Sequence, residues 1–348
     1  MYLHVDMDYF FAQLEEKRRP MAEGKIIVVC VYSGRTADSG VVSTVNYPGR
    51  EVGIYSGMPI ALAKKRAPPA DSIFVPVDRE HYAEVSAQID EVIRKVCSKV
   101  VQASIDEWNA EDEEAASKAP ELKEAIRKEL GLQCTIGVAP SLLGAKMAAS
   151  KAKPDGLLIL DEQSQEELIG NSDPEKVPGI GPKTGEALKH LGVERIGDLR
   201  GMDSISLVEA FGRKTGAWLH QLGMGNYATE LGEEKEQEEV SRIGTLREKT
   251  RDPSMILGKI EELEKDAKEW LMQMKKSYRT LTITFITEDL KTHTKSTSFR
   301  NPLPWNADIT KEKEELVKHF LDESPLEVRR VGIRFGNFMD LGGQTTLF

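Results

Sequence analysis

Three carboxylates in this 348-residue chain have the residue types and neighbours that metal-assisted phosphoryl transfer needs. Asp6 closes the alternating run Tyr2-Leu3-His4-Val5-Asp6-Met7, and Asp106-Glu107 closes a second segment of extended character. Carboxylates from two strand ends would then meet at one edge of a sheet. Hard divalent ions take oxygen ligands and leave positions open for phosphate oxygens. A pair of them stabilises both the attacking and the leaving oxygen of an in-line displacement. On spacing alone, helix capping or a solvated surface remains open for each acid. Successive strand side chains point to opposite faces, so Asp106 and Glu107 reach one site only if a twist or bulge interrupts the strand. The alternation therefore makes Asp6 and Asp106 the primary pair.

The elements that must position these residues can be read from periodicity. Asp8 is placed as the N-cap of a helix over Tyr9–Glu16, and the apolar run Ile26–Val31 as a buried strand. Short helices are expected between Val41 and Pro69, a helix over 81–98, and a strand over Lys99–Trp108. A helix over Pro120–Leu130, a strand over Gln133–Val138, a helix over Leu142–Lys151 and a strand over Leu157–Leu160 complete this region. That order fits a split βαβ sheet with residues 19–75 inserted after the first helix. Residues 166–230 read as all-helical. They contain Val177-Pro178-Gly179-Ile180-Gly181-Pro182-Lys183-Thr184 and, about thirty residues on, Phe211-Gly212-Arg213-Lys214-Thr215-Gly216. Past the acidic stretch 233–239, a linker by composition, a second α+β domain is expected. Its elements are Ser241–Arg247, a helix near 253–276, strands at 279–287 and 292–299, a helix near 309–321 and a strand at 327–335.

Six segments occur together in an order and spacing that resembles the Y-family, DinB-like translesion DNA polymerases of archaeal type. They are Asp6–Glu15, Asn46-Tyr47-Pro48-Gly49-Arg50, Ser104-Ile105-Asp106-Glu107, Thr135-Ile136-Gly137-Val138-Ala139-Pro140, Ala152-Lys153-Pro154-Asp155-Gly156 and Val177-Pro178-Gly179-Ile180-Gly181. The similarity extends over essentially the whole chain. It implies an α+β multidomain right-hand polymerase with a split-βαβ palm (1–18 and 76–165), small fingers (19–75) and a helical thumb with helix-hairpin-helix elements (166–231). A linker (232–240), an α+β little finger (241–342) and a tail (343–348) would follow. The implied activity is template-directed addition of deoxynucleotides to a primer 3′ end, with low fidelity and processivity, lesion bypass and no proofreading.

The resemblance also implies roles at matching positions. Asp6, Asp106 and Glu107 become catalytic metal-binding carboxylates, with the Met7 carbonyl a further ligand, for two Mg²⁺ ions that Mn²⁺ can replace. Glu107 enters mainly on this ground. The incoming triphosphate would be held by Thr44, Tyr47, Arg50 and Lys153. The Phe10 and Phe11 amides lie at a helix start, where free N–H groups favour an anion. Phe11 would also be the steric gate that leaves no room for a ribose 2′-hydroxyl. Gly179, Gly181 and Lys183 would contact DNA phosphates, as would Arg242, Arg247, Lys295, Arg330 and Arg334, of which Arg330, Gly332 and Arg334 are spaced to share one strand face. The terminal Gln344-Thr345-Thr346-Leu347-Phe348 looks like the start of a sliding-clamp-binding peptide, through Gln344, Leu347 and Phe348. One departure stands out: an apolar strand usually follows the Asp-Glu pair, whereas here Trp108-Asn109-Ala110-Glu111 follows.

Bulk properties constrain the partners. Net charge is −10, which at face value opposes a nucleic-acid ligand. From Ser241 to the end there are 19 Lys and Arg against 17 Asp and Glu, leaving 28 against 40 for residues 1–240, so the acid is concentrated in the front part. No apolar run approaches the roughly 20 residues of a membrane-spanning helix. Without a secretory signal, a cytoplasmic monomer acting on primer-template DNA and deoxynucleoside triphosphates is expected. Cys30, Cys97 and Cys134 lie far apart and read as buried thiols. A nucleotide cyclase would share the carboxylates and metals, but it has no use for the hairpin motifs or the basic C-terminal region. A catalytically dead DNA-binding scaffold would have no need to keep Asp6, Asp106, Glu107, Arg50 and Lys153.

Overall fold

A computed structural model describes residues 1–227, 231–232 and 237–340. The chain opens with β1 (Tyr2–Met7) and α1 (Phe10–Lys17). It passes through β2 (Ile26–Tyr32), β3 (Gly40–Val45), α2 (Tyr47–Glu51), α3 (Ile60–Arg66) and β4 (Ser72–Pro76). It returns with α4 (Arg79–Val96), β5 (Lys99–Gln102), β6 (Glu107–Glu111), α5 (Ala115–Leu130), β7 (Cys134–Ala139), α6 (Leu142–Ala152) and β8 (Leu157–Ile159). Helices α7 (Glu162–Gly170), α8 (Pro182–His190) and α9 (Ser204–Gly223) follow. Then come β9 (Glu239–Thr250), α10 (Pro253–Gln273), β10 (Lys276–Thr287), β11 (Thr292–Leu303), α11 (Thr310–Glu323) and β12 (Val328–Asp340).

By internal packing the chain divides into two units. One holds Met1–Val29, Ser43–Ser56 and the stretch from Ala67 to the acidic segment; the other holds Cys30–Val42, Gly57–Arg66 and the residues described beyond that segment. The first unit is built on a five-stranded sheet in the order β5-β6-β1-β7-β8, antiparallel except for the β7–β8 pair. The connection from β1 through α4 to β5 steps around β6, and that from β6 through α5 to β7 steps around β1. This is the split βαβ arrangement expected from the order of elements. Strands β2, β3 and β4 form a separate sheet in the order β3-β2-β4, inside the 19–75 insertion apart from the last residue of β4.

As the central strand, β1 is buried along its whole length, whereas its alternating residues alone would suggest one buried face. Leu3, Val5 and Met7 pack with Ile89, Trp108, Leu122, Ile126 and Ile136, each such side chain contributing roughly 1.5–3 kcal/mol of burial. Helix α6 lies almost on the backbone of β7. A Cβ on Gly137 would sit 2.0 Å from the Ala145 carbonyl oxygen and 2.4 Å from the Ala149 nitrogen, so only glycine admits this approach.

Three local readings change. Asp8 is not the cap of α1. Tyr9 is, in a left-handed conformation with φ 37°, while the buried Asp8 carboxylate accepts from Thr135 Oγ1 at 2.9 Å and from the Asp155 amide at 2.6 Å. Asp8 is drawn inward by those donors, which a cap would leave unpaired. The expected strand over Lys99–Trp108 is two strands, because the chain bends at 104–106 and β5 and β6 pair as an antiparallel hairpin. The segment after Glu107 nevertheless forms a strand, since Trp108 and Ala110 are buried and alternate with polar residues. Helix α5 begins at Ala115, earlier than expected, and carries Pro120 inside it.

In the second unit the sheet order is β11-β10-β12-β9, all antiparallel. Helices α10 and α11 cover one face, where Ile256, Ile260, Ile283, Phe285, Val317 and Phe335 form the core. Glu264 joins the two helices by accepting from Lys268 of α10 at 2.7 Å and Lys313 of α11 at 2.5 Å. All three cysteines are buried and none of them is in a disulfide, as read from the sequence. Among the described residues no helix is long and apolar enough to cross a membrane.

Candidate active site

Pairing between β1 and β6 sets Asp6 directly opposite Glu107 and His4 opposite Asn109, and residues opposed in this way share a sheet face. Asp106 lies just before β6, in the bend. Its backbone oxygen accepts from the Met7 amide at 2.9 Å, and its Oδ1 accepts from Ser104 Oγ at 2.6 Å. The bend is the interruption that lets consecutive acids serve one region. Glu107 is in register with Asp6, and Asp106 precedes the strand. Ligand atoms of His4, Asp6 and Glu107 lie within 4.8 Å of one another. Ligands at about 2.1 Å from a Mg²⁺ ion are at most about 4.2 Å apart, so small side-chain rotations bring the oxygens to coordinating distance. The oxygen donors fit a hard divalent cation.

Each carboxylate has its own lysine. Lys153 Nζ is 2.6 Å from Asp6 Oδ1, and Lys146 Nζ is 2.7 Å from Glu107 Oε2. Burial pushes the Asp6 carboxyl up, to about 6, against the Lys153 ammonium; the negative charges of Glu107 and Asp106 add to the rise. Burial raises Glu107 as well, but there Lys146 and His4 prevail and the net shift is downward. Burial also lowers His4 to about 4, and its Nδ1 is 2.7 Å from Asn109 Oδ1.

The groups read as triphosphate ligands lie on α1, β3, α2 and the end of α6, all within the first unit. Asn46 caps α2. Its side chain accepts from the Ile27 and Gly49 amides and donates to Glu16 and the Lys25 carbonyl, which fixes the helix that carries Tyr47 and Arg50. The guanidinium of Arg50 lies over the Tyr47 ring at 4.9 Å, and Tyr9 meets that ring edge-on at 5.0 Å. Tyr47 Oη is buried near the Asp8 carboxylate and makes no hydrogen bond of normal geometry. Thr44 is half-buried on β3. Phe10 and Phe11 occupy the first turn of α1, where amides have no intrahelical acceptor. Phe10 is buried, whereas Phe11 is half-buried and stacks on Tyr82. Of the residues bearing on this site, Lys146, Asn109 and Tyr82 were not read as site residues from sequence, and Asp8 was read only as a helix cap.

Gly179 has φ +98° and packs beneath Trp218, with a hypothetical Cβ 3.1 Å from the ring, and Gly181 caps α8, whose first turn holds the exposed Lys183. Gly212, at φ 79°, breaks α9 into two helices, so the second glycine motif is a helix-turn-helix bend. A cavity of about 560 Å³, lined by Asn109, Leu142, Lys146, Pro178, Trp218 and Tyr227, adjoins both Lys146 and the first glycine turn.

On the second unit's sheet, the face away from the helices carries Arg330, Gly332 and Arg334 of β12. They are opposed by Ile286, Thr284 and Thr282 of β10, and Thr282 is paired in turn with Ser296 of β11. Arg330 and Arg334 thus share a hydroxyl-rich face as expected, with Arg334 3.2 Å from Glu239. Lys295 is not on it. It points to the helix side and pairs with Glu323 of α11. Arg242 stands opposite Ile333, again in the helix-side register, and Arg247 is exposed on β9. Gln344, Leu347 and Phe348 lie outside the described residues.

Comparison with known proteins agrees with this geometry. Residues 5–150 match the impB/mucB/samB family, residues 237–347 its C-terminal domain, and residues 175–226 the thumb domain described for DNA polymerase-iota. DNA polymerase IV of Methanosarcina acetivorans is 39% identical, the match covering 99% of this chain and 98% of that protein. DNA polymerase IV of Sulfurisphaera tokodaii is 36% identical, with 99% of each chain covered. Among solved structures, a Y-family DNA polymerase chimera of Dbh and Dpo4 superimposes with a TM-score of 0.90 at 31% identity, over 97% of this chain and 99% of that one. An insertion ternary complex of Dbh DNA polymerase gives 0.68 at 30% identity, with the same coverage.

Proposed function

Because the chain belongs to the Y-family of DNA polymerases and is a DNA-directed DNA polymerase of the translesion type, we propose that its reaction centre is the cluster of Asp6, Asp106 and Glu107. The observation that carries this reading is the register that sets Asp6 opposite Glu107, with Asp106 in the adjoining bend. As in its family generally, the reaction depends on divalent metal. In our reading two Mg²⁺ ions, replaceable by Mn²⁺, are held by these carboxylates and the Met7 carbonyl. When bound, such ions lower the pKa of the primer 3′-hydroxyl and neutralise charge on the triphosphate and departing pyrophosphate.

The chain's own residues do the positioning. Lys153 and Lys146 hold the carboxylates in place, and Lys153 is free to turn from Asp6 toward an entering phosphate. Tyr47 offers an unused hydroxyl, Arg50 a planar fork, Thr44 a second hydroxyl, and the Phe10 and Phe11 amides an anion seat. Phe11, the half-buried ring at the end of this row, is the sugar gate. Primer-template DNA runs past Gly179, Gly181 and Lys183 and along the sheet face of Arg330 and Arg334, with Arg247 at its margin. The reading extends to low fidelity, low processivity and no proofreading. The reading further includes a cytoplasmic monomer, with Gln344, Leu347 and Phe348 engaging a sliding clamp.

Primer extension on a defined template, with the intact chain and with Asp106→Ala and Asp6→Asn variants that retain the native circular dichroism, tests the site. The expected loss is at least about a thousandfold for each variant. Variants as active as the intact chain would remove these carboxylates from the chemistry.

A further inference from the structure

The Phe11 ring lies face to face with that of Tyr82, their centroids 4.5 Å apart and their planes 16° from parallel. Tyr82 is fully buried in the first turn of α4, and its hydroxyl donates a 2.7 Å hydrogen bond to Glu15 Oε1. Phe11 and Glu15 are one turn apart on α1 and so lie on the same helix face. A single side chain therefore contacts both, with its ring on Phe11 and its hydroxyl on Glu15. Glu15 is itself buried and held by charge. Arg19 pairs with Oε2, and Arg18 reaches Oε1 at 3.5 Å and Asp78 at 2.8 Å. Asp78 caps α4, and its carbonyl oxygen accepts from the Tyr82 amide at 3.1 Å. Tyr82 is thus fixed at its backbone by a capped helix start and at its hydroxyl by a charge-assisted bond.

We infer that Tyr82, locked by Glu15, is a specificity-determining residue that fixes the plane of the Phe11 ring and sets how strictly ribonucleoside triphosphates are refused. The inference rests on the reading of Phe11 as the sugar gate. A gate excludes a hydroxyl group only as far as the ring cannot yield. Phe11 is half-buried at a helix start, with one edge on the core and the tilted Phe10 ring at 5.7 Å, and its exposed side leaves it freedom to rotate. The stacked neighbour removes that freedom, and the Glu15 bond removes it from the neighbour in turn. A selectivity that a lone phenylalanine would supply weakly becomes a property of three side chains on two helices.

Single-turnover insertion of a deoxynucleotide and its ribonucleotide counterpart opposite the same template base tests this. The variants are Tyr82→Leu, Tyr82→Phe, Glu15→Gln, Phe11→Ala and the Phe11→Ala/Tyr82→Leu double variant. Tyr82→Leu is expected to raise the ratio of ribonucleotide to deoxynucleotide efficiency about fivefold, the effect of losing one stacked pair. The gain should appear mainly in the apparent ribonucleotide affinity. Tyr82→Phe and Glu15→Gln should raise the ratio less, about twofold. The double variant should match Phe11→Ala alone, because without the gate there is nothing for Tyr82 to hold. An unchanged ratio in Tyr82→Leu, or an equal loss for both nucleotides, while Phe11→Ala does admit ribonucleotides, would reduce Tyr82 to core packing and overturn the inference with the gate intact. An unchanged ratio in Phe11→Ala would instead remove the gate, and the inference with it. Should Tyr82→Leu fail to fold, Tyr82→Phe keeps the ring in place, and its ratio decides whether the Glu15 bond contributes.

Discussion

Asp6 and Glu107 face one another across β1 and β6, each with its own lysine, and on the proposed reading of this cluster the groups around it hold an incoming nucleotide. Tyr47 is the sharpest case. A buried hydroxyl with no hydrogen bond of normal geometry costs about 1–3 kcal/mol and calls for an explanation. A ligand that accepts from it supplies one. Tyr47→Phe is therefore expected to raise the unfolding free energy by about 1–3 kcal/mol, because no normal folded-state bond is lost and the cost of the unsatisfied hydroxyl is removed. The KM for an incoming deoxynucleotide should rise roughly tenfold, the worth of a bond to a charged group. Steady-state insertion kinetics beside thermal unfolding separate the two; a destabilised variant with unchanged KM would make Tyr47 a structural residue. At this scale the acids were legible because strand ends and paired carboxylates leave a mark in sequence. Lys146 and Asn109 left none, since nothing local announces that a lysine on α6 reaches across to β6.

Elements were legible wherever one periodicity governed a segment, as in α4, α6 and α10, and were misread where tertiary partners overrode a local preference. Asp8 looks like a cap and is instead drawn inward by Thr135 and Asp155, while the β5–β6 bend hides inside one extended-looking run. What pins that hairpin to α5 is Asp112. It accepts from the Ser98 amide and hydroxyl, the Glu114 amide and, at 2.8 Å, Lys118. Burial alone would raise its pKa. Lys118 and the amide donors more than reverse this and hold the carboxyl down at about 2, against an ordinary 3.8. A folded-state pKa below the unfolded one means stability that is fully present above about pH 4 and is lost as pH falls toward 2. The shift corresponds to about 2 kcal/mol. Asp112→Asn should accordingly lower stability by about that amount at pH 7, and the gap to the intact chain should narrow steadily between pH 4 and pH 2. Denaturant unfolding at three pH values checks it, and a gap that stays constant through that window would show that Asp112 is not held as an ion.

For the whole molecule the question is how a chain of net charge −10 grips a polyanion. Charge segregation and the shared face of Arg330 and Arg334 were visible in the sequence, but the side to which Lys295 and Arg242 turn was not, because strand parity depends on register and on the bulges near Thr280 and Val328. Register puts Arg330 and Arg334 on the face of the second unit's sheet away from the helices and turns Lys295 and Arg242 to the helix side. These two groups should then differ in a way that bare affinity would not reveal. Each phosphate neutralised releases counterions, so the logarithm of affinity falls with the logarithm of salt at about 0.9 per contact. Replacing Arg330 and Arg334 together by alanine should weaken primer-template binding and flatten that slope by nearly two. Lys295→Ala should leave the slope alone, since its charge is already spent on Glu323. Fluorescence anisotropy with labelled primer-template at several salt concentrations measures both slopes. A slope that drops for Lys295→Ala and holds for the arginine pair would mean that DNA lies on the helix side, against the path proposed along the opposite face.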